Sequence, residues 1–349
     1  MVAGFFIFSS ASLGLLAKGG VKYSSVAFSQ TFLGLFMGSI AMLVVSRINY
    51  KIWRKYAFYL FLGAIILNIL VLIPGLGVEH GGARRWFIVG GVSLQPAELL
   101  KLAFVIYMSA WASGMKEKMQ TWKQGFLPLL VLFAVCAGLL LLQPDTDNFL
   151  MIIASGLAIF ITAGGRWKYV FFLALTGIIV LAGLAFTRPY VMQRITTFMN
   201  PEVNPQGSGY QIQQSLIAIG SGGVFGRGFG QSVQKFNFLP EPIGDSIFAV
   251  AAEEFGFVGS VALIMMFVFF ATRGLKIASR VPDLFGRLMI VGIVIMIVAQ
   301  AFVNIGAMLG VLPLSGITLP FVSHGGTSLF ITLLEVGIIL SVSKTQKLR

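Results

Sequence analysis

Long apolar runs separated by short polar stretches recur along the whole chain of 349 residues. A run of about 20 apolar residues is the length that an α-helix needs to cross a bilayer, and a helix satisfies its own backbone hydrogen bonds in lipid. The pattern predicts an all-α polytopic integral membrane protein in which residues 1–349 form one membrane domain. Ten spans are expected, at residues 2–17, 27–45, 57–74, 96–113, 125–142, 148–164, 169–187, 246–271, 287–309 and 321–343.

The composition agrees, because 57% of residues are hydrophobic and only 11% are charged, whereas about a quarter are charged in soluble domains. The net charge of +13 does not indicate a nucleic-acid partner, since Lys and Arg in a membrane protein first report orientation. With both termini in the cytoplasm, the cytoplasmic loops hold sixteen of the 25 Lys and Arg residues. This bias predicts cytoplasmic termini. One cysteine and two distant histidines predict neither a disulfide framework nor a Cys/His metal cluster.

The segment 188–245, between the seventh and eighth spans, is the one long hydrophilic stretch, and the predicted orientation places it outside the cytoplasm. Loops of this length are usually functional or disordered. The apolar patch 212–219, with polar flanks, predicts a helix on the membrane surface. The glycine-rich part, 220–230, lacks the ending of a Walker loop. With Arg227 and Lys235 nearby, it fits either a site for an anionic headgroup or a flexible linker.

Several charges fall where lipid makes them costly, at least about 2.5–3.5 kcal/mol each at mid-membrane. Glu98 and Lys101 are three residues apart in one predicted span, close enough to pair on one helix face. They either stabilise the helix bundle or line an outward-facing cavity. Asp145 lies in a Gln-Pro-Asp-Thr-Asp-Asn stretch and is either a turn residue or part of a site. Glu335, in the last span, has no predicted role.

Asp245 stands at the start of the eighth span, directly after a Leu-Pro-Glu-Pro stretch at 239–242. Residues before proline avoid the helical region, and Asp is a good N-cap whose charge favours the helix dipole. Asp245 is therefore either a helix cap or an acid presented at the membrane surface. Glu253 and Glu254 follow in the same span, about 100° apart, so at most one of them can face a given cavity.

The stretch YQIQQSLIAIGSGGVFGRGFGQSVQKFNFLPEPIGDSIFAVAAEEFGFVG, residues 210–259, resembles the signature of the SEDS proteins (shape, elongation, division and sporulation). Its Gln-Ser-Val-Gln-Lys and Asp-Ser-Ile-Phe-Ala-Val elements are closer to the division type than to the elongation type. Further elements of the family are similar at 83–86 and 95–101, at 143–145, and at 304–328. Three positions depart from the family pattern: Ile243-Gly244 stands for His-Thr, Asp147-Asn148 for Gly-Thr, and Ala97 for Ser.

The resemblance implies a peptidoglycan glycosyltransferase of the bacterial cytoplasmic (inner) membrane, located at the division septum, which polymerises lipid II on the outer face. It implies Asp245 as the catalytic residue, either as general base for the attacking sugar hydroxyl or as ligand of a divalent cation, Mg²⁺ or Mn²⁺. No organic cofactor is expected. The residues expected to bind substrate, some by offsetting the charge of its pyrophosphate, are Glu98, Lys101, Arg85, Asp145, Arg227, Lys235 and Ser323.

The resemblance also implies a class B penicillin-binding transpeptidase of the FtsI type, bound through its membrane helix, and other division proteins of the FtsQ, FtsL and FtsB types. Three alternatives stay open: a lipid II flippase, an elongation-type polymerase and a non-catalytic scaffold. Acids clustered near the outer half of the membrane favour chemistry over a relay for transport. The start of the chain lacks the basic n-region of a signal peptide and is interpreted as a first span.

Overall fold

The computed structural model describes residues 1–17, 23–80, 83–89, 92–187, 189–203 and 207–345. Most of them are helical, as predicted. Short 3₁₀ or π-helical turns extend or join several α-helices, at Leu13–Ala17, Ser29–Met37, Lys116–Gln120, Trp122–Phe126 and Pro201–Val203. In chain order the α-helices of these residues are α1 (Val2–Ser12), α2 (Tyr23–Phe28), α3 (Gly38–Arg47), α4 (Lys51–Leu70), α5 (Pro96–Met115), α6 (Leu127–Leu142), α7 (Thr146–Thr162), α8 (Trp167–Thr187), α9 (Pro189–Met199), α10 (Ser208–Ser221), α11 (Ile247–Arg280), α12 (Leu284–Met308) and α13 (Gly326–Ser343).

Each predicted span coincides with helical structure, which confirms a polytopic α-helical membrane protein. The count of ten spans is not confirmed. Within the described ranges, six helices are long and apolar enough to cross a membrane, and three further apolar helices are shorter. The helix α5 has the length of a span, but it carries Glu98, Lys101, Ser109 and Ser113 and belongs to neither set. Helix α10 covers the apolar patch 212–219, and its predicted place on the membrane surface stays a prediction.

A small antiparallel sheet, which was not predicted, lies between α4 and α5. Its strands are β1 (Val78–His80), β2 (Ala83–Val89) and β3 (Val92–Leu94), in the order β1-β2-β3. Trp86, Phe87, Ile88 and Val89 of β2 are aromatic or β-branched, the types that suit a pleated surface. Strands of three to seven residues are too short to stand out in a sequence dominated by long apolar runs.

The chain divides into two compact units, and the prediction of one membrane domain stays a prediction. The first unit consists of Met1–Gln30, Phe171–Phe269 and Gln300–Gly325. Its core joins α1, the first part of α11, the end of α12 and the loop before α13. Buried apolar side chains of this core include Phe8, Ala11, Leu239, Ile247, Phe248, Val250, Ile305, Met308, Leu319 and Val322.

The second unit consists of Thr31–Val170, Phe270–Ala299 and Gly326–Arg349. Within it α13 packs along α3, and α4 packs along α5. Small residues bring α3 and α13 together: a Cβ added at Gly38 would lie 2.8 Å from the Cδ1 atom of Leu333. The sheet and the paired residues Glu98 and Lys101 belong to this unit.

The helix α11 is interrupted at Gly256, whose backbone has φ 66° and ψ −163°. The break frees backbone groups in a membrane span, where lipid offers no hydrogen bonds and the protein must supply them. The segment 223–228 supplies them, so the gap in the helix is filled by backbone from the glycine-rich stretch. The hydrogen bonds run from Phe257 N to Gly223 O (2.9 Å), from Val258 N to Val224 O (3.1 Å), from Arg227 N to Glu253 O (3.0 Å) and from Gly228 N to Glu254 O (3.0 Å).

Glycine is required for this close approach. A Cβ at Gly226 would overlap the carbonyl oxygen of Glu254, and one at Gly222 would overlap that of Ala252. Gly226 also has φ +82°, in the left-handed region that favours glycine. The glycine-rich stretch thus docks onto the protein's own helix, a role that its composition did not reveal.

Replacing Gly226 by Ala is therefore expected to destabilise the protein, by about 1–3 kcal/mol for overpacking and about 1–2 kcal/mol more for the left-handed backbone. The matched control is Gly220→Ala, in α10, where a Cβ meets nothing within 4 Å. Ala is favoured over Gly by roughly 0.5–1 kcal/mol inside a helix, so the control should be neutral or stabilised. Thermal unfolding in detergent measures both variants, and equal midpoints would contradict the docking role.

Candidate active site

Asp245 lies in a compact turn just before α11, which begins two residues later at Ile247. The backbone N–H groups of Gly244 and Ser246 both donate to the carbonyl of Glu241, at 3.1 and 3.2 Å. The side chain of Asp245 is partly buried. The turn therefore places an acid at the start of a candidate membrane span, and its catalytic role stays a prediction.

Other segments hold this turn through three of its own consecutive backbone carbonyls. Each accepts a hydrogen bond from α12 or from the loop that precedes α13, so the backbone on both sides of the Asp245 side chain is fixed. A fixed backbone restricts the directions in which that side chain can point. The three hydrogen bonds run from His324 N to Ile243 O (2.6 Å), from Ser323 Oγ to Gly244 O (2.7 Å) and from Asn304 Nδ2 to Asp245 O (2.8 Å). These contacts are called the carbonyl clamp below.

The donors of the carbonyl clamp are themselves held. The amide of Asn304 also donates to Ile317 O at 2.7 Å, and the hydroxyl of Ser323 accepts from Leu319 N at 2.7 Å. Gln30 donates to Ser323 O at 3.0 Å. Sequence reasoning expected Ser323 to bind substrate, and the structure places its hydroxyl on the turn that carries Asp245.

Asn304 and Gln30 were not predicted as site residues. Both are buried polar side chains in mostly apolar segments, and a buried amide inside an apolar run is the signal that could have found them. Their partners, backbone carbonyls and a loop N–H, could not be read from the sequence.

His324 contributes its backbone to the carbonyl clamp while its ring packs elsewhere. The ring stacks on Phe8 at a centroid distance of 6.0 Å. Its Nδ1 atom is buried and has no hydrogen-bond partner among the described residues. Burial lowers the pKa of His324, so the imidazole is neutral at pH 7 and adds no positive charge beside the turn.

Lys235 and Arg227, both expected to bind an anionic group, lie in different surroundings. Lys235 is fully buried; its ammonium lies 2.7 Å from Glu254 Oε1, 2.9 Å from Ser10 Oγ and 2.8 Å from Gly230 O. Three partners in the interior indicate a structural role for this lysine. Arg227 keeps 41% of its side chain exposed, 3.6 Å from Glu253, so it retains surface that a ligand can reach.

Glu98 and Lys101 form the predicted ion pair, in the second unit. The two charged atoms are 2.9 Å apart, and the side chains are 9% and 2% exposed. Glu335 of α13 is also buried and interacts electrostatically with both. The buried carboxyl group of Glu335 thus adds to the electrostatic surroundings of the pair. This arrangement supports the stabilising interpretation of the pair, and its predicted contact with substrate stays a prediction.

Asp145 and Arg85 hold the turn between α6 and α7. Asp145 caps α7, where it accepts from the backbone N–H of Asn148 at 3.2 Å, from its amide at 2.8 Å and from Gln95 at 3.2 Å. Burial raises the pKa of Asp145, opposed by the Asn148 hydrogen bonds and the charge of Arg85. Arg85 donates to the carbonyls of Gln143 and Pro144. Asn148, a departure from the family pattern, supplies two of these bonds.

In the described part of the chain, no three His, Cys, Asp or Glu side chains are grouped so that they could hold a metal ion. A divalent cation at Asp245 would therefore need further oxygen ligands from water or from a substrate. Mg²⁺ is commonly bound in this way, through one or two carboxylates and substrate phosphates. The residues present fit such a shared site and not a cage made by protein alone.

Comparison with known proteins identifies the family. Stage V sporulation protein E of Bacillus subtilis is 40% identical over 308 residues, covering 88% of this chain and 84% of that protein. Probable peptidoglycan glycosyltransferase FtsW of Geobacter metallireducens is 40% identical over 311 residues, covering 89% and 83%. A chain from a solved peptidoglycan synthase complex, studied for the structural coordination of polymerization and crosslinking, superposes with a TM-score of 0.79 at 27% identity, covering 97% of this chain and 96% of that one.

The family model for FtsW, RodA and SpoVE, described as cell cycle protein, matches residues 1–348. The match spans the apolar helices, the turn at Asp245 and the loop that clamps it, so it includes every element of the site described above. The resemblance seen in the sequence is confirmed, and the chain belongs to the FtsW/RodA/SpoVE (SEDS) family of cell cycle proteins.

Proposed function

We propose that this protein is a peptidoglycan glycosyltransferase that polymerises lipid II into glycan strands during cell division, with Asp245 as its catalytic residue, either as general base or as ligand of a divalent cation. Relatives at about 40% identity carry the name peptidoglycan glycosyltransferase FtsW, and the similar solved chain belongs to a peptidoglycan synthase complex. The observation that carries the role of Asp245 is the carbonyl clamp, which fixes Ile243, Gly244 and Asp245 in succession. An enzyme gains most from a catalytic group whose orientation is fixed before substrate binds.

The proposed reaction is a single displacement. The 4-hydroxyl of the GlcNAc of one lipid II attacks C1 of the MurNAc at the end of the growing chain, and undecaprenyl pyrophosphate leaves with the bonding electrons. The carboxylate of Asp245 accepts the proton of the attacking hydroxyl, as a general base does in inverting glycosyl chemistry. The product bond is β because the α-linked leaving group is displaced from the opposite face.

The leaving pyrophosphate needs positive charge around it. Arg227 offers an exposed guanidinium in the same segment of chain. Lys235 is left out of the proposal because its ammonium already has three partners. When bound to Asp245 and to substrate oxygens, a divalent cation such as Mg²⁺ or Mn²⁺ would supply Lewis-acid neutralisation of the pyrophosphate. In that case Asp245 acts as ligand, and the two roles are separated by titrating the metal.

The protein is a multi-pass membrane protein, which we place in the cytoplasmic membrane at the septum with both termini in the cytoplasm. This orientation puts the turn at Asp245 on the outer face, where glycan strands are made. New strands must be crosslinked, so we propose a class B penicillin-binding transpeptidase as partner, together with FtsQ-, FtsL- and FtsB-type division proteins. The similar chain in a complex that coordinates polymerization and crosslinking supports such a partner.

Labelled lipid II tests the proposal directly. The purified protein, alone and with its cognate transpeptidase, is expected to yield a ladder of glycan strands on a gel, with release of undecaprenyl pyrophosphate. Chelation of divalent cations, followed by addition of Mg²⁺ or Mn²⁺, tests for metal dependence. A protein that moves labelled lipid II across proteoliposomes without any ladder, even with the transpeptidase present, would overturn the proposal in favour of transport.

A further inference from the structure

The segment 224–238 exposes its large apolar side chains while it buries two of its polar ones. Lys235 and Ser232 are buried, at 0% and 1% exposure, and they pair with Glu254 and Glu253, whereas Arg227, Gln231 and Asn237 are exposed. The large apolar side chains point outward. The exposed ones are Val224, Phe225, Phe229, Val233, Phe236 and Phe238, with Phe225 at 81% and Phe238 at 51%.

The depth of the segment is set by its hydrogen bonds to α11. The bonded residues of α11 that precede the break, Glu253 and Glu254, lie about 9–11 Å along the helix from Ile247 at 1.5 Å per residue. The hydrocarbon core of a bilayer is about 30 Å thick. The bonded residues therefore lie within one half of the bilayer, on the side where α11 begins.

The exposed rings also adjoin apolar surface of neighbouring helices. The ring of Phe229 packs edge-on against that of Phe6 in α1, with centroids 6.3 Å apart, and Phe6 is itself exposed. Phe257 and Val258 of α11, which are hydrogen-bonded to the start of the segment, are exposed as well. Apolar patches larger than a few hundred Å² are rare on surfaces that face water. On candidate membrane helices they are the surface that faces lipid.

We propose that the segment 224–238 inserts its aromatic side chains into the lipid bilayer at the level of the break in α11. Lipid is the occupant that accepts exposed phenylalanines at a membrane surface. The exposed polar side chains of Arg227, Gln231 and Asn237 would then meet the headgroups. The buried ammonium of Lys235 has its three partners within the protein.

Insertion has a consequence for the site, which rests on the function proposed above. The segment leads directly into the turn at Asp245. Its anchoring in lipid would hold that acid near the level of the headgroups, where the pyrophosphate of a polyprenyl-linked substrate lies. The insertion itself does not depend on catalysis and is tested without substrate.

Nitroxide labels in proteoliposomes test the insertion. In a Cys136→Ala background, which removes the one native cysteine, the label is placed at Phe225→Cys and Phe238→Cys. Phe257→Cys serves as the lipid-facing control. Glu117→Cys, exposed in the short turn between α5 and α6, serves as the water-facing control. Collisions with oxygen, which partitions into lipid, are compared with collisions with a water-soluble nickel chelate.

Labels at 225 and 238 are expected to match the lipid-facing control, with oxygen collisions several times more effective than those of the chelate. Labels that match Glu117→Cys would overturn the proposal. Labels that collide with the chelate in the protein without its partner, and are shielded from the chelate once the transpeptidase is added, would also overturn it. A protein would then be the occupant of this surface. Labels at Val224→Cys and Phe229→Cys provide a second pair of sites if either first variant elutes as an aggregate.

Discussion

Replacing Asp245 by Asn is expected to lower the rate of glycan polymerisation by about 10²–10⁴-fold, the contribution typical of a general acid or base. Asn keeps the shape of the side chain but cannot accept the proton of the attacking hydroxyl. The carbonyl clamp acts on backbone carbonyls, which the substitution leaves in place, so the variant should unfold at the same temperature as the wild type. Gel separation of products from labelled lipid II measures the rate.

The matched control is Glu202→Gln, which also removes one carboxylate charge, at an exposed position in the short turn between α9 and α10. It should polymerise at the wild-type rate. An Asp245→Asn variant that folds normally and still produces wild-type ladders would move the catalytic role to another acid. If its activity returns when the Mg²⁺ or Mn²⁺ concentration is raised, Asp245 acts as a metal ligand and not as the base.

Replacing Lys101 by Met is expected to destabilise the protein by about 3–5 kcal/mol, the cost of leaving a buried charge without its partner. The substitution removes the ammonium that lies 2.9 Å from Glu98 and interacts electrostatically with Glu335, both of which are buried. Glu98→Gln should cost less, roughly 1–3 kcal/mol for the hydrogen bond it loses, because Lys101 then keeps Glu335 as a partner. Thermal or denaturant unfolding in detergent measures both variants.

An exposed lysine of α11 provides the control: Lys276→Met should change stability by no more than about 0.5 kcal/mol. Equal costs for Glu98→Gln and Lys101→Met would show that Glu335 does not share the ammonium. Polymerisation by the same preparations separates the two interpretations left open by the sequence. A loss of activity in folded Glu98→Gln protein would indicate contact with substrate, and full activity would indicate a purely stabilising pair.

The elements that could be predicted from the sequence are those that depend on local pattern. Apolar runs long enough to cross a membrane became helices, and the spacing of Glu98 and Lys101 produced the expected ion pair. The acid at 245 was located because prolines and a helix start surround it. These features depend on helix geometry and on the cost of charge in lipid, and both can be judged within a few residues of sequence.

The features that were not predicted depend on contacts between segments that are distant in sequence. The donors of the carbonyl clamp, such as Asn304, Ser323 and His324, lie 59 to about 80 residues beyond the turn they hold. Lys235 was expected to bind substrate because it follows a glycine-rich stretch, and its pairing with Glu254 and Ser10 depends on how that stretch packs. Local pattern identifies such a residue as polar and cannot tell which partner it meets.

The joint between the glycine-rich segment, 223–228, and the broken helix, 253–258, has a consequence for which substitutions, insertions and deletions this sequence can accept during evolution. All four of its hydrogen bonds connect backbone to backbone, so exposed side chains such as those of Val224, Phe225 and Phe257 can be exchanged without breaking them, whereas the glycines at positive φ cannot. The number of residues in each of the two segments is less free to change. One residue inserted or deleted between 223 and 228, or between 253 and 258, would shift donors against acceptors along the whole joint. The two segments should therefore accept substitutions readily at their exposed positions while keeping their lengths locked to each other.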